Sequence, residues 1–167
     1  MGAELTNQIK STKAGTNLKV EQFQSWLSGN GQISELQRYQ NIGWDVDATI
    51  YEHPHAPLFW RYITDNPFGQ RHHIVTFRTG RMVRDIWRDL ARAGSPLLPL
   101  HFHSINSVPE EMWLSFQMHR QGLHPYPFWK GKTCHELGIE VLIDDATMDV
   151  WAGCSEHCID YFHPDML

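Results

Sequence analysis

The sequence has few cysteines, no long apolar run and no excess of positive charge, and each absence excludes a class of protein. It contains three cysteines, Cys134, Cys154 and Cys158, which is too few for a disulfide-stapled secreted domain. No apolar stretch approaches the roughly 18 residues that a bilayer-spanning helix needs. The first 17 residues also lack the apolar core of a signal peptide. We therefore expect a reduced, cytoplasmic setting.

The charge balance argues against two kinds of partner. The chain carries 14 basic and 19 acidic side chains, for a formal net charge of −5. Such a balance gives no support to a nucleic-acid-binding or membrane-binding surface. Apolar residues make up 41% and charged residues 20% of the 167 residues. This composition is globular, and a chain of this length can bury a core.

Strand and helix patterns alternate about four times along the chain. This order predicts an α/β three-layer sandwich, with a mostly parallel, Rossmann-like sheet between helices on both faces. Residues 1–39 are predicted to form a polar tail and a helical extension, and residues 40–167 the core domain. The predicted strands cover 39–47, 72–77, 97–104, 139–144 and 159–165. The clearest predicted helices cover 20–32, 80–96, 109–122 and 126–138.

Reactive side chains follow three of the predicted strands. In open α/β sheets, ligands bind beyond the carboxyl ends of the strands, so these side chains are expected to converge there. Acid pairs at the start of a loop are common, and the coincidence across three separate segments is the informative signal. The side chains are Asp45 and Asp47, Thr76 and Arg78, and Asp144 and Asp145.

Converging carboxylates would repel one another unless a cation joined them. An oxygen-only ligand set without histidine or thiol suits Mg²⁺. Beside such an ion, Asp45 can attack a phosphorus atom as a nucleophile. Asp47, two residues on, can protonate the leaving oxygen and later activate water. Thr76 and a lysine can hold the remaining phosphate oxygens, and Arg78 can reach a substrate phosphate or carboxylate.

The same motifs resemble those of the haloacid dehalogenase (HAD) superfamily, in its phosphatase branch. "DVDAT" at 45–49 matches the Asp-x-Asp-x-Thr signature, and "IVTFR" at 74–78 resembles the second motif. "VLIDD" at 141–145 resembles the fourth motif, an apolar strand that ends in paired acids. The resemblance covers about residues 40–163. The first strand departs from the pattern, because "QNIGW" stands where at least four apolar residues are usual.

The resemblance implies a role for each matching residue. Asp45 would be the nucleophile and a metal ligand, and Asp47 the acid/base whose main-chain carbonyl is a second ligand. Thr76 and a lysine would bind the phosphoryl group. That lysine is Lys130 by its spacing from the fourth motif, and Lys132 is close enough to compete. The remaining implied roles are Asp144 as a metal ligand, Asp145 as a ligand or as the group that orders metal-bound water, and Thr49 as support for the loop after the nucleophile.

The function implied is Mg²⁺-dependent hydrolysis of a phosphomonoester through an aspartyl-phosphate. Too few residues separate the motifs for a cap domain, so we expect an open site that allows a large phosphorylated substrate. The N-terminal segment is a candidate lid or homodimer contact, and a simple packing appendage is the favoured interpretation. Alternatives are a catalytically inactive binding module of the same fold, a phosphotransferase or mutase of the same superfamily, and an unrelated α/β protein whose acids are ordinary turns.

The 11 histidines and the cysteines offer weaker signals. His101 and His103 alternate on a predicted strand and would share one face, as a ligand pair or a polar strand edge. His53 and His55 follow the first motif closely and can meet the leaving group. The Cys-x-x-x-Cys spacing near the end of the sequence is not typical of a zinc site, and packing roles are favoured.

Overall fold

Five parallel strands form the sheet in the computed structural model, which describes residues 25, 26, 29, 31–118 and 125–167. Their order across the sheet is β3-β2-β1-β4-β5, and each neighbouring pair is parallel. This confirms the predicted α/β class and its parallel, Rossmann-like sheet. The strands are β1 (Asn41–Trp44), β2 (Arg71–Thr76), β3 (Ser104–Ser107), β4 (Val141–Ile143) and β5 (Asp160–Phe162).

Helices connect the strands, and 3₁₀-helices precede or interrupt several of these connections. The helices are α1 (Ala56–Asp65), α2 (Gly80–Arg92), α3 (Glu110–Met118), α4 (Trp129–Glu136) and α5 (Met148–Glu156). The 3₁₀-helices cover Gly31–Arg38, Pro99–His101, Tyr126–Phe128 and Pro164–Met166. None of the helices in the described part of the chain combines the length and apolar character that crossing a bilayer requires. Most of the predicted helix at 20–32, the tail before it and residues 119–122 of another lie outside the described residues.

Side chains alternate between the two faces of the sheet, and each face buries its own core. On one face, strand residues such as Trp44 and Ile74 pack with the 3₁₀-helix at Gly31–Arg38, with α1 and with α2. On the other face, Val75 and Leu142 pack with α4 and α5. Helices therefore cover both faces, which gives the predicted three layers. The alternation also explains why adjacent residues of one strand enter different cores.

The polar first strand has a structural reason. β1 lies in the middle of the sheet, and a Cβ on Gly43 would lie 3.1 Å from Leu142 Cδ1 and 3.2 Å from Ile139 Cγ2. Close packing on this face therefore favours glycine. At the start of the strand, the backbone N–H groups of Gln40 and Asn41 donate to Glu140 Oε2 at 2.6 and 2.8 Å. The interruptions in "QNIGW" thus match local contacts and leave the strand intact.

The predicted third strand was placed too early. Residues 97–104 were expected to be extended, but Pro99–His101 form a 3₁₀-helix and the strand begins at Ser104. Backbone N–H groups of His101 and Phe102 donate to the carbonyls three residues before them, at 3.0 and 3.1 Å. These donors therefore do not form hydrogen bonds to a neighbouring strand. The expectation that His101 and His103 share a strand face is therefore wrong, since both precede β3.

Two glycines permit the close crossing of α4 and α5. We expect Gly131→Ala to lower the free energy of unfolding by roughly 3 kcal/mol or more, because overpacking moves whole elements. A Cβ at Gly131 would lie 2.2 Å from the carbonyl carbon and oxygen of Gly153, which cannot rotate away. Helix propensity alone would favour alanine by up to about 1 kcal/mol, which is the opposite sign. Urea unfolding measures the difference.

Gly94→Ala is the matched control for this substitution. Nothing lies within 4 Å of a Cβ built at Gly94, but its φ is 79°. Only left-handed backbone strain applies, at about 1–2 kcal/mol. A smaller loss at Gly131 than at Gly94 would mean that the two helices separate easily and that the glycines are not required for their packing.

Candidate functional site

The strand order places one crevice at the centre of the sheet. The chain runs from β1 outward to β3, and then returns to the other side of β1 for β4 and β5. The crevice outside the carboxyl ends of β1 and β4 is therefore the switch point at which such sheets bind ligands. Asp45 follows β1, and its backbone N–H donates to the Ile143 carbonyl at 2.9 Å. Asp144 follows β4, so the ladder fixes both residues at this crevice.

Three carboxylates meet at the crevice. One oxygen each of Asp45, Asp144 and Asp145 lies within 4.8 Å of the other two. Asp45 and Asp144 are buried, with 6% and 0% of their surfaces exposed, and Asp145 is half-buried. Sequence reasoning had predicted that these three side chains converge, and the structure brings them together.

Burial raises the pKa of all three acids. The pKa of Asp45 rises to about 7, because burial and the charge of Asp144 outweigh the charge of Lys130. Burial also raises the pKa of Asp144, against the charge of Lys130 and the hydrogen bond from it. Burial and the charge of Asp45 raise the pKa of Asp145. The cluster therefore favours any further positive charge that enters the crevice.

Lys130 supplies a cation within the cluster. Its Nζ lies 2.8 Å from Asp45 Oδ1 and 2.5 Å from Asp144 Oδ2, and its side chain is 1% exposed. Burial lowers the pKa of Lys130, but the charges of Asp45 and Asp144 outweigh it, so the pKa lies above its usual value. The ammonium group is therefore charged and bridges the ends of β1 and β4.

Lys132, the competing candidate, lies elsewhere. Its side chain is 65% exposed and pairs with Glu136, one helical turn on, at 3.5 Å. Residues two apart on a helix point in different directions, so α4 presents Lys130 to the acids and Lys132 to solvent. The expectation that Lys132 contacts substrate does not fit this placement.

Asp47 and Arg78 form an ion pair beside the acids. Arg78 donates from Nη2 to Asp47 Oδ1 at 2.6 Å and from Nε to Oδ2 at 2.9 Å, and from Nη1 to Asp89 Oδ2 at 2.8 Å. The Asp47 side chain is 54% exposed, whereas that of Arg78 is 6% exposed. Arg78 thus contacts two carboxylates of the protein, and its predicted contact with substrate stays a prediction. The second carboxylate belongs to Asp89, which lies on α2.

The two threonines of the motifs are both buried. Thr76 ends β2, and its Oγ1 accepts a hydrogen bond from the Arg78 backbone N–H at 3.2 Å. Thr76 is 0% exposed and does not line the cavity in front of Asp45, whereas Thr79 does. Thr49 is also fully buried in the loop after Asp45, and its hydroxyl has no hydrogen-bond partner among the described residues.

A cavity of about 280 Å³ opens in front of the cluster. One part of its wall is polar or charged, and the other part is apolar and largely aromatic. The lining residues are Asp45, Asp47, Phe77, Arg78, Thr79, Met82, Trp113, Tyr126, Lys130, Asp145 and Ala146. Sequence reasoning missed the aromatic part, because Phe77, Trp113 and Tyr126 come from three separate segments and belong to no motif.

Tyr161 is a further residue that sequence reasoning missed. Its hydroxyl lies 2.6 Å from the Asp144 carbonyl oxygen and 3.0 Å from that of Ala146, so it donates to the loop that carries the paired acids. The Ala146 backbone N–H donates to Asp144 Oδ1 at 2.9 Å. These contacts orient the Asp144 carboxylate. Only the position of Tyr161 on the neighbouring strand β5 brings it there, so no local signal marks it.

Within the part of the chain that the structure describes, the histidines and cysteines lie outside this cluster. His53 Nε2 lies 3.0 Å from Asp165 Oδ1, and His55 Nδ1 lies 3.3 Å from the Pro164 carbonyl, so both bind the last 3₁₀-helix. Cys134 and Cys154 are buried in the core, as the packing interpretation expected, and Cys158 is exposed. All three are free thiols.

The donor set of the cluster fits a hard divalent cation. Its three ligand groups are carboxylates, and no imidazole or thiolate belongs to the group within the described residues. Oxygen ligands of this kind suit Mg²⁺, which binds through one or two carboxylates and keeps several waters. The residues that would hold it are Asp45, Asp144 and Asp145, with the Asp47 carbonyl as the further ligand that the motif implies.

Comparisons with known proteins leave the chemistry open. No protein-family model and no curated protein matches the sequence. Among solved structures, the chain is similar to an uncharacterized protein from Corynebacterium glutamicum, at 14% sequence identity and a TM-score of 0.46. The match covers 75% of this chain and 84% of that one. A likeness at this level says nothing about activity, because one fold hosts many functions.

Proposed function

We propose that this protein is a Mg²⁺-dependent phosphohydrolase of HAD type, which cleaves phosphomonoesters through an aspartyl-phosphate on Asp45. One observation carries the proposal: Asp45, Asp144 and Asp145 meet at the switch point of a parallel sheet, with Lys130 between two of them. A binding module has no need of buried, mutually repelling acids beside a cavity. The free thiols fit a reducing, cytoplasmic location.

In the first step, an Asp45 carboxylate oxygen attacks phosphorus, and the bond from phosphorus to the leaving oxygen breaks. Asp47 gives its proton to that oxygen, so the product leaves as a neutral alcohol. Water, which loses a proton to Asp47, then attacks the phosphorus atom, and the bond to Asp45 breaks to release inorganic phosphate. A bound Mg²⁺ would keep the acids ionised and offset the charge of the incoming phosphate.

Lys130 and Arg78 have different tasks in this scheme. Lys130 would neutralise phosphoryl oxygens held against Asp45, and the phosphate contact of Thr76 stays a prediction. Arg78 orients Asp47 through its two-pronged contact. A carboxylate has about four lone-pair sites, so this contact leaves other lone pairs of Asp47 free to face the leaving oxygen. Arg78 is therefore a positioning residue, because its donors bind carboxylates within the protein.

Metal removal tests the ligand set. We expect phosphate release from a panel of phosphomonoesters to stop with EDTA and to return with Mg²⁺, because the three carboxylates form a hard oxygen site. The measurement is released phosphate as a function of added Mg²⁺. Recovery with Zn²⁺ and not with Mg²⁺ would contradict the oxygen-only site. Phosphate release that EDTA leaves unchanged would show that the reaction does not need a metal ion.

Asp47→Asn separates acid–base chemistry from metal binding. We expect it to lower turnover by on the order of 10²–10⁴, the usual scale of general acid–base catalysis. Mg²⁺ affinity, measured by calorimetry, should stay nearly unchanged, because the Asp47 carboxylate faces Arg78 and is not in the three-acid group. The loss should be smaller for p-nitrophenyl phosphate, whose leaving oxygen needs little protonation.

Asp65→Asn is the control, since Asp65 forms an exposed pair with Arg61 at 3.2 Å. Thermal unfolding is recorded for both variants, because Asp47 is one of two carboxylates that bind the buried Arg78. An equal loss on good and poor leaving groups would show that leaving-group protonation does not limit the rate. A loss of Mg²⁺ affinity would put the Asp47 carboxylate among the metal ligands.

A further inference from the structure

The apolar part of the cavity is built from three aromatic rings, Phe77, Trp113 and Tyr126, which we call the aromatic wall. Phe77 directly follows β2, Trp113 lies on α3, and Tyr126 starts the 3₁₀-helix before α4. The rings of Phe77 and Tyr126 stack with centroids 4.5 Å apart and an interplanar angle of 21°. Trp113 meets Tyr126 at 5.6 Å. Phe116 on α3 stacks on Tyr126 as well, with centroids 4.5 Å apart and an interplanar angle of 12°. Three elements therefore contribute rings to one side of the cavity, and the Tyr126 ring is stacked between Phe77 and Phe116.

The aromatic wall begins directly beside the reacting carboxylate. Lys130 Nζ lies 4.3 Å from the centroid of the Phe77 ring and 2.8 Å from Asp45 Oδ1. A phosphoryl group held against Asp45 is thus next to Phe77. Whatever is bonded to that phosphoryl group meets the wall, because Asp45, Phe77 and Tyr126 line the same cavity.

Among the described residues that line the cavity, no cation is left over for a second anionic group. Two basic side chains line it, Lys130 and Arg78, among the described residues. Lys130 is paired with Asp45 and Asp144, and Arg78 with Asp47 and Asp89. Asp145 adds a further carboxylate to the lining. A leaving group with its own carboxylate or phosphate would lie beside acidic side chains and would find no unpaired cation among the described residues. Its charge would lose water without a compensating contact, which costs substantial free energy.

Size limits the ligand as well. The cavity holds about 280 Å³, just below the usual range of roughly 300–1,000 Å³ for small-molecule sites. A cavity of this volume has room for a phosphoryl group and a single ring. Larger groups would have to extend through the open side of the site into solvent.

We propose that the preferred substrates are phosphomonoesters whose leaving group is uncharged and carries one flat ring, which packs against Trp113 in the aromatic wall. The inference rests on the proposed function and adds a substrate class to it. The bond broken is the one between phosphorus and the ring-bearing oxygen, and that oxygen receives the proton of Asp47. Phe77, Trp113 and Tyr126 determine specificity and take no part in bond breaking.

The test compares four phosphate esters of aliphatic alcohols, so that intrinsic leaving-group ability stays similar: benzyl phosphate, cyclohexylmethyl phosphate, glycerol phosphate and phosphoglycolate. With Mg²⁺, kcat/KM for benzyl phosphate should exceed that for glycerol phosphate by about tenfold or more, since ring contacts add to apolar burial. Cyclohexylmethyl phosphate should fall between them, and anionic phosphoglycolate should be the poorest. A preference for glycerol phosphate or phosphoglycolate would overturn the proposal.

Substitutions in the aromatic wall test whether it causes the preference for benzyl phosphate. Trp113→Leu should reduce the benzyl-over-glycerol ratio to within about threefold. Tyr126→Leu should act in the same direction, but Tyr126 is more deeply buried, so the half-buried Trp113 gives the cleaner result. Trp151→Leu is the matched control, because Trp151 is 54% exposed on α5 and does not line the cavity. An unchanged ratio in Trp113→Leu would refute the role of the wall.

A binding measurement separates this inference from the proposed function. Benzylphosphonate and methylphosphonate, which are not hydrolysed, are titrated into the Mg²⁺-loaded protein and into Trp113→Leu by calorimetry. If no ester releases phosphate but benzylphosphonate binds tighter in a Trp113-dependent way, the hydrolase proposal fails and the ligand class stands. If esters are hydrolysed but neither kcat/KM nor affinity is higher for the compounds that carry a ring, the proposed substrate class is wrong and the hydrolase proposal stands.

Discussion

Asp45→Asn should reduce phosphate release to the level of the uncatalysed background while the protein stays folded. The amide keeps the shape of the side chain and removes the charge that attacks phosphorus, so no covalent intermediate forms. The backbone hydrogen bond from Asp45 to Ile143 at 2.9 Å does not depend on the side chain, so the position of the loop should persist. Steady-state phosphate release with Mg²⁺ measures the effect, and circular dichroism checks the fold.

The intermediate gives this prediction a second readout. Wild-type protein that is quenched in acid during turnover should carry a phosphoryl group on Asp45, which mass spectrometry of a digest locates. Asp45→Asn should carry none, and Asp149→Asn, at an acid in the first turn of α5, should behave as wild type. Wild-type turnover in Asp45→Asn would exclude the aspartyl-phosphate route. A phosphoryl group found on another residue would show that this other residue is the nucleophile.

Lys130→Met should have the largest combined effect on turnover and stability. It removes the one cation between two buried carboxylates, and loss of one partner from a buried ion pair costs about 3–5 kcal/mol. Turnover should fall by roughly 10³, the scale for a lost electrostatic contact to the reacting group. Chemical denaturation and phosphate release measure the two effects. Lys130→Gln is the second variant if Lys130→Met does not fold.

The stability loss in Lys130→Met should grow as pH rises. Asp45 has a folded pKa of about 7 against an ordinary value of 3.8, so the folded state binds more protons than the unfolded state between these values. Stability from this group is therefore present at low pH and is lost as pH rises toward 7. The charge of Lys130 lowers the pKa of Asp45 and Asp144, so its removal extends this window to higher pH. Denaturation between pH 5 and pH 8, without metal, measures the slope.

Lys132→Met is the control for both effects. Lys132 is 65% exposed and pairs with Glu136 at 3.5 Å, so its removal should change stability by at most about 1 kcal/mol and turnover little. If Lys132→Met loses turnover and Lys130→Met keeps it, the phosphate-binding lysine has been assigned to the wrong residue. If neither variant loses turnover, Lys130 holds the acids together without taking part in the reaction.

The local sequence determined the strands and the acids that follow them. β4 is a short apolar run and β2 ends in the β-branched run "IVT", as strands buried on both faces of a sheet require, so both were predictable. The acids after β1 and β4 were predicted to converge because parallel strands end at one edge. The third strand was misplaced, since "LLPLHFH" is as apolar as a strand but Pro99 starts a 3₁₀-helix there. Apolar content alone does not separate the two structures.

Tertiary structure decided which side chains meet at the site. Spacing left Lys130 and Lys132 as competitors, and only the packing of α4 on the sheet buries one and exposes the other. From the sequence, Arg78 was a candidate for substrate binding. In the fold, Asp47 after β1 and Asp89 on α2 both accept hydrogen bonds from Arg78.

The aromatic wall also comes from the fold alone. Phe77, Trp113 and Tyr126 are far apart in sequence and share no pattern. Sequence therefore determined the elements and the acids at their ends, because both follow from local periodicity and strand direction. The choice of partner for each charge, and the shape of the cavity, depend on contacts between distant segments that no local pattern specifies.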